Sequence, residues 1–174
     1  MTVERDLVNI NIRPMVHADL DQVHHIDRIS FSSPWSKSSF EFELDRNPCS
    51  RSWVVEITID NSESQLIGVI VLWVVEDEGH IGTIAVHPDF RQQGIASSLV
   101  TYALENIQRE GVNIVFLEVR RTNIAAQVLY KKFGFHKTGV RAKYYADNQE
   151  DALVFTLFDI QSKEIINLSN LRDE

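Results

Sequence analysis

Ile84-Ala85-Val86-His87-Pro88-Asp89-Phe90-Arg91-Gln92-Gln93-Gly94-Ile95-Ala96 reads as a strand that ends at Pro88, a short loop, and entry into a long helix. From Gly94 to Glu110 the apolar residues Ile95, Leu99, Val100, Ala103, Leu104 and Ile107 recur on one helical face, and Gly111 closes the helix. A strand feeding a helix through Arg91-x-x-Gly94-x-Ala96 places orphan backbone N–H groups and the positive end of a helix dipole at one point. Small residues there let a diphosphate approach the backbone. The chain contains neither the G-x-x-x-x-G-K-[ST] of a nucleoside-triphosphate loop nor the G-x-G-x-x-G of a dinucleotide fold. An ordinary strand-to-helix turn accommodates the same residues, so the loop alone leaves both readings open.

Downstream, Asn113 to Val119 is almost wholly apolar, as expected of a strand covered on both faces. Thr122 is placed to cap a helix that runs to Phe133 and stops at Gly134, and Phe135 to Gly139 and Ala152 to Phe158 read as two further strands. Upstream, Asn9 to Arg13 alternates like a strand and His17 to Phe31 has helical spacing. A second helix opens after Pro34, with Ser38 and Glu41 at capping-box spacing, and ends before Pro48. Ser52 to Ile59, the turn Asp60 to Ser64, Leu66 to Val75 and Gly79 to Val86 predict an antiparallel meander. The predicted order is β α α β β β α β α β β, a single α/β domain on a mixed, mostly antiparallel sheet. We expect it to occupy residues 10–158, between an arm (1–9) and a solvated tail (159–174).

With 174 residues, 44% hydrophobic and 24% charged, disordered and fibrous classes are excluded. One cysteine, Cys49, cannot form an intrachain disulfide and fits a reducing compartment. Lys plus Arg number 17 against 25 Asp plus Glu, a net charge of −8, which disfavours a nucleic-acid partner and suits a cationic or amine substrate. The first residues carry charges where an export signal needs an apolar stretch, and the run Leu66 to Val75 is far short of a membrane span. The expected compartment is therefore the cytoplasm, with no membrane association. His17, His24 and His25 lack supporting metal ligands, so no metal is expected.

Two further residues carry chemistry. Glu118 shares a strand face with Ile114 and Phe116, so burial is expected to raise its pKa and make it a base near neutrality. It could equally be an ion-pair partner of Arg120, Arg121 or Arg141. Tyr130, on the following helix, is either a core aromatic with its hydroxyl at the rim or a proton donor.

Taken together, the two segments resemble the GCN5-related N-acetyltransferase (GNAT) superfamily, in which Arg91-Gln92-Gln93-Gly94-Ile95-Ala96 corresponds to the acetyl-CoA pyrophosphate loop. Within it the chain is most similar to RimI-like protein N-terminal acetyltransferases. Phe31-Ser32-Ser33-Pro34-Trp35-Ser36 carries that similarity, with Leu117-Glu118-Val119-Arg120, Asn123, Ala126, Leu129-Tyr130, Gly134-Phe135, Gly139 through Tyr145 and Glu150-Asp151-Ala152. Two departures stand out: Ala96 replaces a glycine common in the loop, and Ala146 follows Tyr144-Tyr145 where the family often has proline.

The resemblance implies acetyl-CoA as donor, held by the loop, by backbone at Ile84, Ala85 and Val86, and by Asn123. It implies Glu118 as base and Tyr130 as acid, with Phe31, Trp35, Tyr144 and Tyr145 as walls of an acceptor groove. The implied reaction is acetylation of a protein N-terminus, an alanine of a small-subunit ribosomal protein. Acetylation of lysine or a small amine stays open, as does a non-catalytic acyl-CoA-binding module, although binding alone would require neither Glu118 nor Tyr130. Trp53 and Trp73 are expected as core or rim aromatics.

Overall fold

The computed structural model describes residues 8–59 and 63–165. Most of the expected turn at Asp60 to Ser64, nearly all of the arm, and residues 166–174 of the tail lie outside them. Seven strands form one sheet: β1 (Val8–Pro14), β2 (Ser50–Ile59), β3 (Gln65–Val75), β4 (Glu78–Val86), β5 (Ile114–Arg120), β6 (His136–Tyr145) and β7 (Glu150–Leu157). Their spatial order is β1-β2-β3-β4-β5-β7-β6, and every pair is antiparallel except β4 with β5. Four helices, α1 (Leu20–Ser30), α2 (Lys37–Asp45), α3 (Ile95–Arg109) and α4 (Ile124–Lys132), take their places in the predicted order.

The sheet separates two apolar cores. On one face α1 and α2 bury Leu20, Val23, Ile26 and Phe40 against Val54, Val69 and Val71. On the other, the predicted stripe of α3 packs with Ile70, Leu72, Val115, Leu117 and Phe155, joined by Tyr130 and Phe133 at α4. Strand β3 lies between both layers and is buried without interruption from Leu66 to Leu72. The strand expected to be covered on both faces, β5, instead alternates: Val115, Leu117 and Val119 are buried, while Ile114, Phe116, Glu118 and Arg120 are half-buried. The cause is that α1 and α2 pack over β2, β3 and β4, which leaves that side of β5 only partly covered.

Both predicted caps shift, by two residues at α2 and by one at α4. Ser36, not Ser38, caps α2, its Oγ accepting the Ser39 N–H at 3.0 Å. Thr122 is engaged by Glu150, to which its N–H and hydroxyl donate at 2.8 and 2.7 Å, so Asn123 caps α4 through the Ala126 N–H. The tail begins as part of the fold rather than as a solvated extension. Ile160 is fully buried, and Gln161 donates to the carbonyls of Gln108 and Val112.

Two features of β4 shape the centre of the sheet. Strands β4 and β5 pair only from Glu78–Ile81 with Ile114–Leu117 and then part. Just there, the β3–β4 register slips, because Val71 faces Thr83 while Leu72 faces Ile81, which leaves Gly82 as the extra residue of a bulge. The Trp73 ring lies over this glycine, and a Cβ on residue 82 would come within 2.8 Å of it. Trp73 is fixed in turn by Trp35, stacked at 6.1 Å, so it has little freedom to withdraw. Gly82→Ala is therefore expected to destabilise the fold by about 1–3 kcal/mol, the range for overpacking. Urea unfolding of the two proteins measures it; equal midpoints would show that Trp73 yields at no cost.

Candidate active site

Where β4 and β5 diverge, a cleft of about 670 Å³ opens between the C-terminal half of β4, the loop before α3, and α4. Its wall contains Ile84, Ala85 and Val86 from β4, Arg91, Gln92, Gly94, Ile95 and Ala96 from the loop and first turn of α3, Asn123 and Tyr130 at α4, and Phe31. Eleven of the sixteen residues singled out from the sequence thus meet in one place. Gln93 is not in the wall; its amide donates to the Asp89 carbonyl.

The loop before α3 is built for backbone exposure. Gly94 is the N-cap at φ +82°, supplies no side-chain cap, and has open space where a Cβ would project. Gln92 also lies in the left-handed region at φ 60°, a conformation that costs free energy for a side-chain-bearing residue. The N–H groups that begin α3 consequently have no side-chain cap, and the residues that carry them, from Gly94 to Ser97, line the cleft. Arg91 ties this loop down: Nε donates to the Val86 carbonyl at 3.1 Å and Nη2 to the Ser30 hydroxyl at 3.1 Å.

Glu118 lies outside this wall. Because Leu117 and Val119 belong to the α3 side of the sheet, alternation turns Glu118 to the opposite face, whereas Tyr130 packs with the α3 side. A carboxylate and a phenol therefore approach the split in the sheet from its two faces. Oε2 of Glu118 is 2.6 Å from Nε2 of His80, and Arg141 Nη2 is 3.1 Å from Oε1. Burial pulls this carboxyl upward, yet the His80 hydrogen bond, with the charges of His80 and Arg141, outweighs burial and holds it below the ordinary carboxylate range. The expected raised value is thus corrected. Of the three candidate arginine partners, Arg141 is the one found.

Burial pushes the Tyr130 phenol well above its ordinary range. Tyr145 rises to about 12 through burial, with Arg120 opposing and the charges of Tyr144, Glu118 and Glu150 assisting. The Arg120 guanidinium lies 3.8 Å above the Tyr145 ring and is held by Asp147 at 2.8 Å, Glu150 at 3.2 Å and the Ser32 hydroxyl at 3.3 Å. Ser32 also donates to Asp147 at 2.5 Å, so the α1–α2 and β6–β7 connections are fastened together. Of the four expected groove residues, Phe31 lines the cleft, Tyr145 lies beneath Arg120 and Tyr144 is largely exposed. Trp35 lines a separate groove of about 420 Å³ with Trp73, Phe42 and Glu43.

The profile of the acetyltransferase (GNAT) family matches residues 20–135. The chain belongs to the GNAT family. A Bacillus subtilis (strain 168) protein, provisionally named ribosomal protein bS18-alanine N-acetyltransferase, is 40% identical over 143 residues, 82% of this chain and 91% of its own. The crystal structure of the Escherichia coli ribosomal-protein-S18-alanine N-acetyltransferase superposes with a TM-score of 0.77 at 28% identity, covering 91% of this GNAT chain and 99% of that one. A chain of the NatC complex bound to Gag peptide and CoA gives 0.73 at 27% identity over 86% and 98%. The chain is an N-acetyltransferase by family.

Sequence reading missed His80, which adjoins Glu118 only through the parallel β4–β5 register. It also missed Asp27, a fully buried carboxylate on α1 whose Oδ2 accepts the Trp35 N–H at 2.7 Å and fastens the α1–α2 connection. Burial is the leading influence on Asp27 and raises its pKa. Ser97 and Lys132 also line the cleft, Ser97 readable only as the next residue of the loop motif. Among the described residues no cluster of metal ligands occurs, and no helix is long and apolar enough to cross a membrane.

Glu150 and Asp151 do not offer free charge to a substrate: Arg120 and Arg121 pair with them. Hydrogen bonds from the Thr122 hydroxyl and N–H, followed by Asn148 and Arg120, bring Glu150 down to about 2. A depressed folded-state value means that any stability Glu150 contributes is complete above its ordinary value of 4.5 and is lost as the pH falls through about 2. A carbon-13 titration should place its midpoint near 2, and Thr122→Val, which removes the hydroxyl donor, should move the midpoint upward. A midpoint near 4.5 in the parent protein would deny the Thr122 bonds.

Proposed function

We propose that this chain transfers the acetyl group of acetyl-CoA to the α-amine of a protein N-terminus, by preference an N-terminal alanine of a small-subunit ribosomal protein. The observation that carries the reaction is the cleft at the β4–β5 split, with Glu118 and Tyr130 reaching the split from opposite faces. The relatives named for alanine of bS18 support the acceptor.

Acetyl-CoA is a substrate here, and the residues fit it. The uncapped start of α3 at Gly94 suits the diphosphate, and Gln92, Gln93, Ile95 and Ala96 bring further backbone N–H groups to it. The β4 edge at Ile84, Ala85 and Val86 is released from β5; Arg91 takes the Val86 carbonyl, and an amide-bearing arm with a thioester carbonyl can pair with the backbone groups left along that edge. The Asn123 side-chain oxygen caps α4, which leaves its NH₂ for the same arm.

Glu118, ionised at neutral pH, accepts the proton that the incoming ammonium loses, directly or through a water. Tyr130, kept protonated by burial, donates its O–H to the departing thiolate on the other face. A phenol above its ordinary range is a weak acid, but burial raises a thiol in the same way, so the two remain matched. No metal is needed. Phe31 and the Arg120-clamped Tyr145 border the acceptor's path, with Tyr144 beside them; Trp35 supports this wall through Asp27 and Trp73 rather than from the cleft.

The depressed Glu118 carboxyl favours an α-amine. An α-amine of pKa ~7.8 is about one-seventh neutral at pH 7, whereas lysine at ~10.4 requires about 3.5 kcal/mol more for deprotonation. The test pairs a peptide with free N-terminal alanine and no lysine against an N-blocked peptide with one lysine. A higher kcat/KM on the first is expected; equal or greater kcat/KM on the second overturns the α-amine reading, and turnover of a polyamine alone would make the enzyme a small-molecule acetyltransferase.

Tyr130→Phe keeps the ring's packing and loses the O–H. It should lower kcat by roughly 10- to 10⁴-fold, a loss whose upper end is that of general acid catalysis, with little change in the affinity for acetyl-CoA. Unchanged kcat with chemistry rate-limiting would remove Tyr130 from the reaction.

A further inference from the structure

His80 is opposite Phe116 in the β4–β5 register, one step before the strands part, and diagonal to Glu118 just beyond. Its ring is stacked on Phe116 with centroids 4.4 Å apart and 20° between planes, and meets Trp73 edge-on at 5.0 Å. The imidazole is thus clamped in one orientation, and that orientation places Nε2 2.6 Å from Oε2 of Glu118. An ionised carboxylate only accepts, so Nε2 carries the hydrogen. The other carboxylate oxygen, Oε1, is buried and has no hydrogen-bond partner among the described residues. Arg141 approaches it to 3.1 Å without hydrogen-bond alignment and is itself half-exposed.

We infer that His80 is a positioning residue for acetyl transfer: its Nε2–H fixes Oε2 of Glu118, so that Oε1 alone is presented to the amine's proton. This rests on Glu118 being the base, as proposed above. The alternative is that His80 only fills space between Trp73 and Phe116. The charged or titratable groups facing the carboxylate are His80 from β4, Arg141 from β6 and Tyr145 at the end of β6. Without the His80 bond, only Arg141 and a backbone hydrogen bond would remain to oppose burial, and the carboxyl would titrate at higher pH.

His80→Phe keeps an aromatic ring and deletes the donor, whereas His80→Gln places an amide N–H near the Nε2 position. With acetyl-CoA and the N-terminal alanine peptide, His80→Phe should lower kcat roughly 10- to 100-fold, the scale of misplacing a reacting group by about 1 Å. It should leave the KM for acetyl-CoA unchanged and shift the acidic limb of the pH profile upward. His80→Gln should recover most of kcat and return the limb towards its original position. Parent-like kcat and limb in folded His80→Phe would overturn the inference, as would equal losses in both variants.

Glu118→Gln, measured alongside, separates the two readings. A parent-like rate and limb there would remove Glu118 as base, and with it this role for His80. Loss of rate in Glu118→Gln with none in His80→Phe would overturn the His80 role alone. Nitrogen-15 spectra of the parent protein test the geometry without turnover: a hydrogen on Nε2 of His80 is expected, and an Nδ1–H tautomer would overturn the inference.

Discussion

Four residues of parallel pairing and then separation, β4 from β5, is the constraint on which the rest of the molecule depends. Backbone groups in a sheet interior are satisfied by neighbours, and a strand released from one neighbour must find other partners for one edge. Strand β4 keeps β3 on its other side as far as Val86, so the release opens a cleft without loosening the strand. The Gly82 bulge sits at the point of separation and turns the strand under the Trp73 ring. Helix α3 then starts directly beyond the opened edge, and α4 closes the far wall. A closed sheet of the same composition would have had a continuous core and no cleft.

The same split explains why two ionisable side chains of opposite tendency stand where they do. Tyr130 approaches from the covered side, where burial acts unopposed and keeps its proton on. Glu118 approaches from the side that α1 and α2 leave open, where His80 and Arg141 reach it and overcome burial. Proton acceptor and proton donor are therefore distinguished by which face of one sheet they occupy. A carboxylate made less basic in this way places a demand on the acceptor, whose own proton must be labile.

How much the sequence discloses depends on whether the deciding information is local or distant. Element order, the α3 stripe and the loop at Gly94 are local patterns of periodicity and glycine placement, and all appear in the fold. The caps of α2 and α4 moved because Ser36, two residues before the expected cap, accepts the Ser39 N–H, and because the distant Glu150 engages the Thr122 hydroxyl. The burial of β5 was misread because composition reports which residues tolerate a core, not which helices arrive to cover it. His80 was invisible for a related reason: it lies 38 residues before Glu118, and only the parallel register brings them together. The direction of the Glu118 shift turned on that missing partner, since burial alone points the other way.

The net charge of −8 invites the idea that acidic side chains around the acceptor path draw in a cationic substrate, and the local pairing argues otherwise. Asp147 and Glu150 share Arg120, Asp151 takes Arg121, and Glu118 has His80 and Arg141. Each carboxylate near the path has a cationic or hydrogen-bonding partner at close range, so little unbalanced charge remains there. What these pairs do is mechanical: Arg120 links the end of β5 to the β6–β7 turn and, through Ser32, to the α1–α2 connection. The excess negative charge acts from the wider surface, over distances where salt screens it within about 10 Å. Encounter with a basic partner can be assisted by that field, but choice of the acceptor amine has to come from contact at the split in the sheet, where shape and proton lability decide.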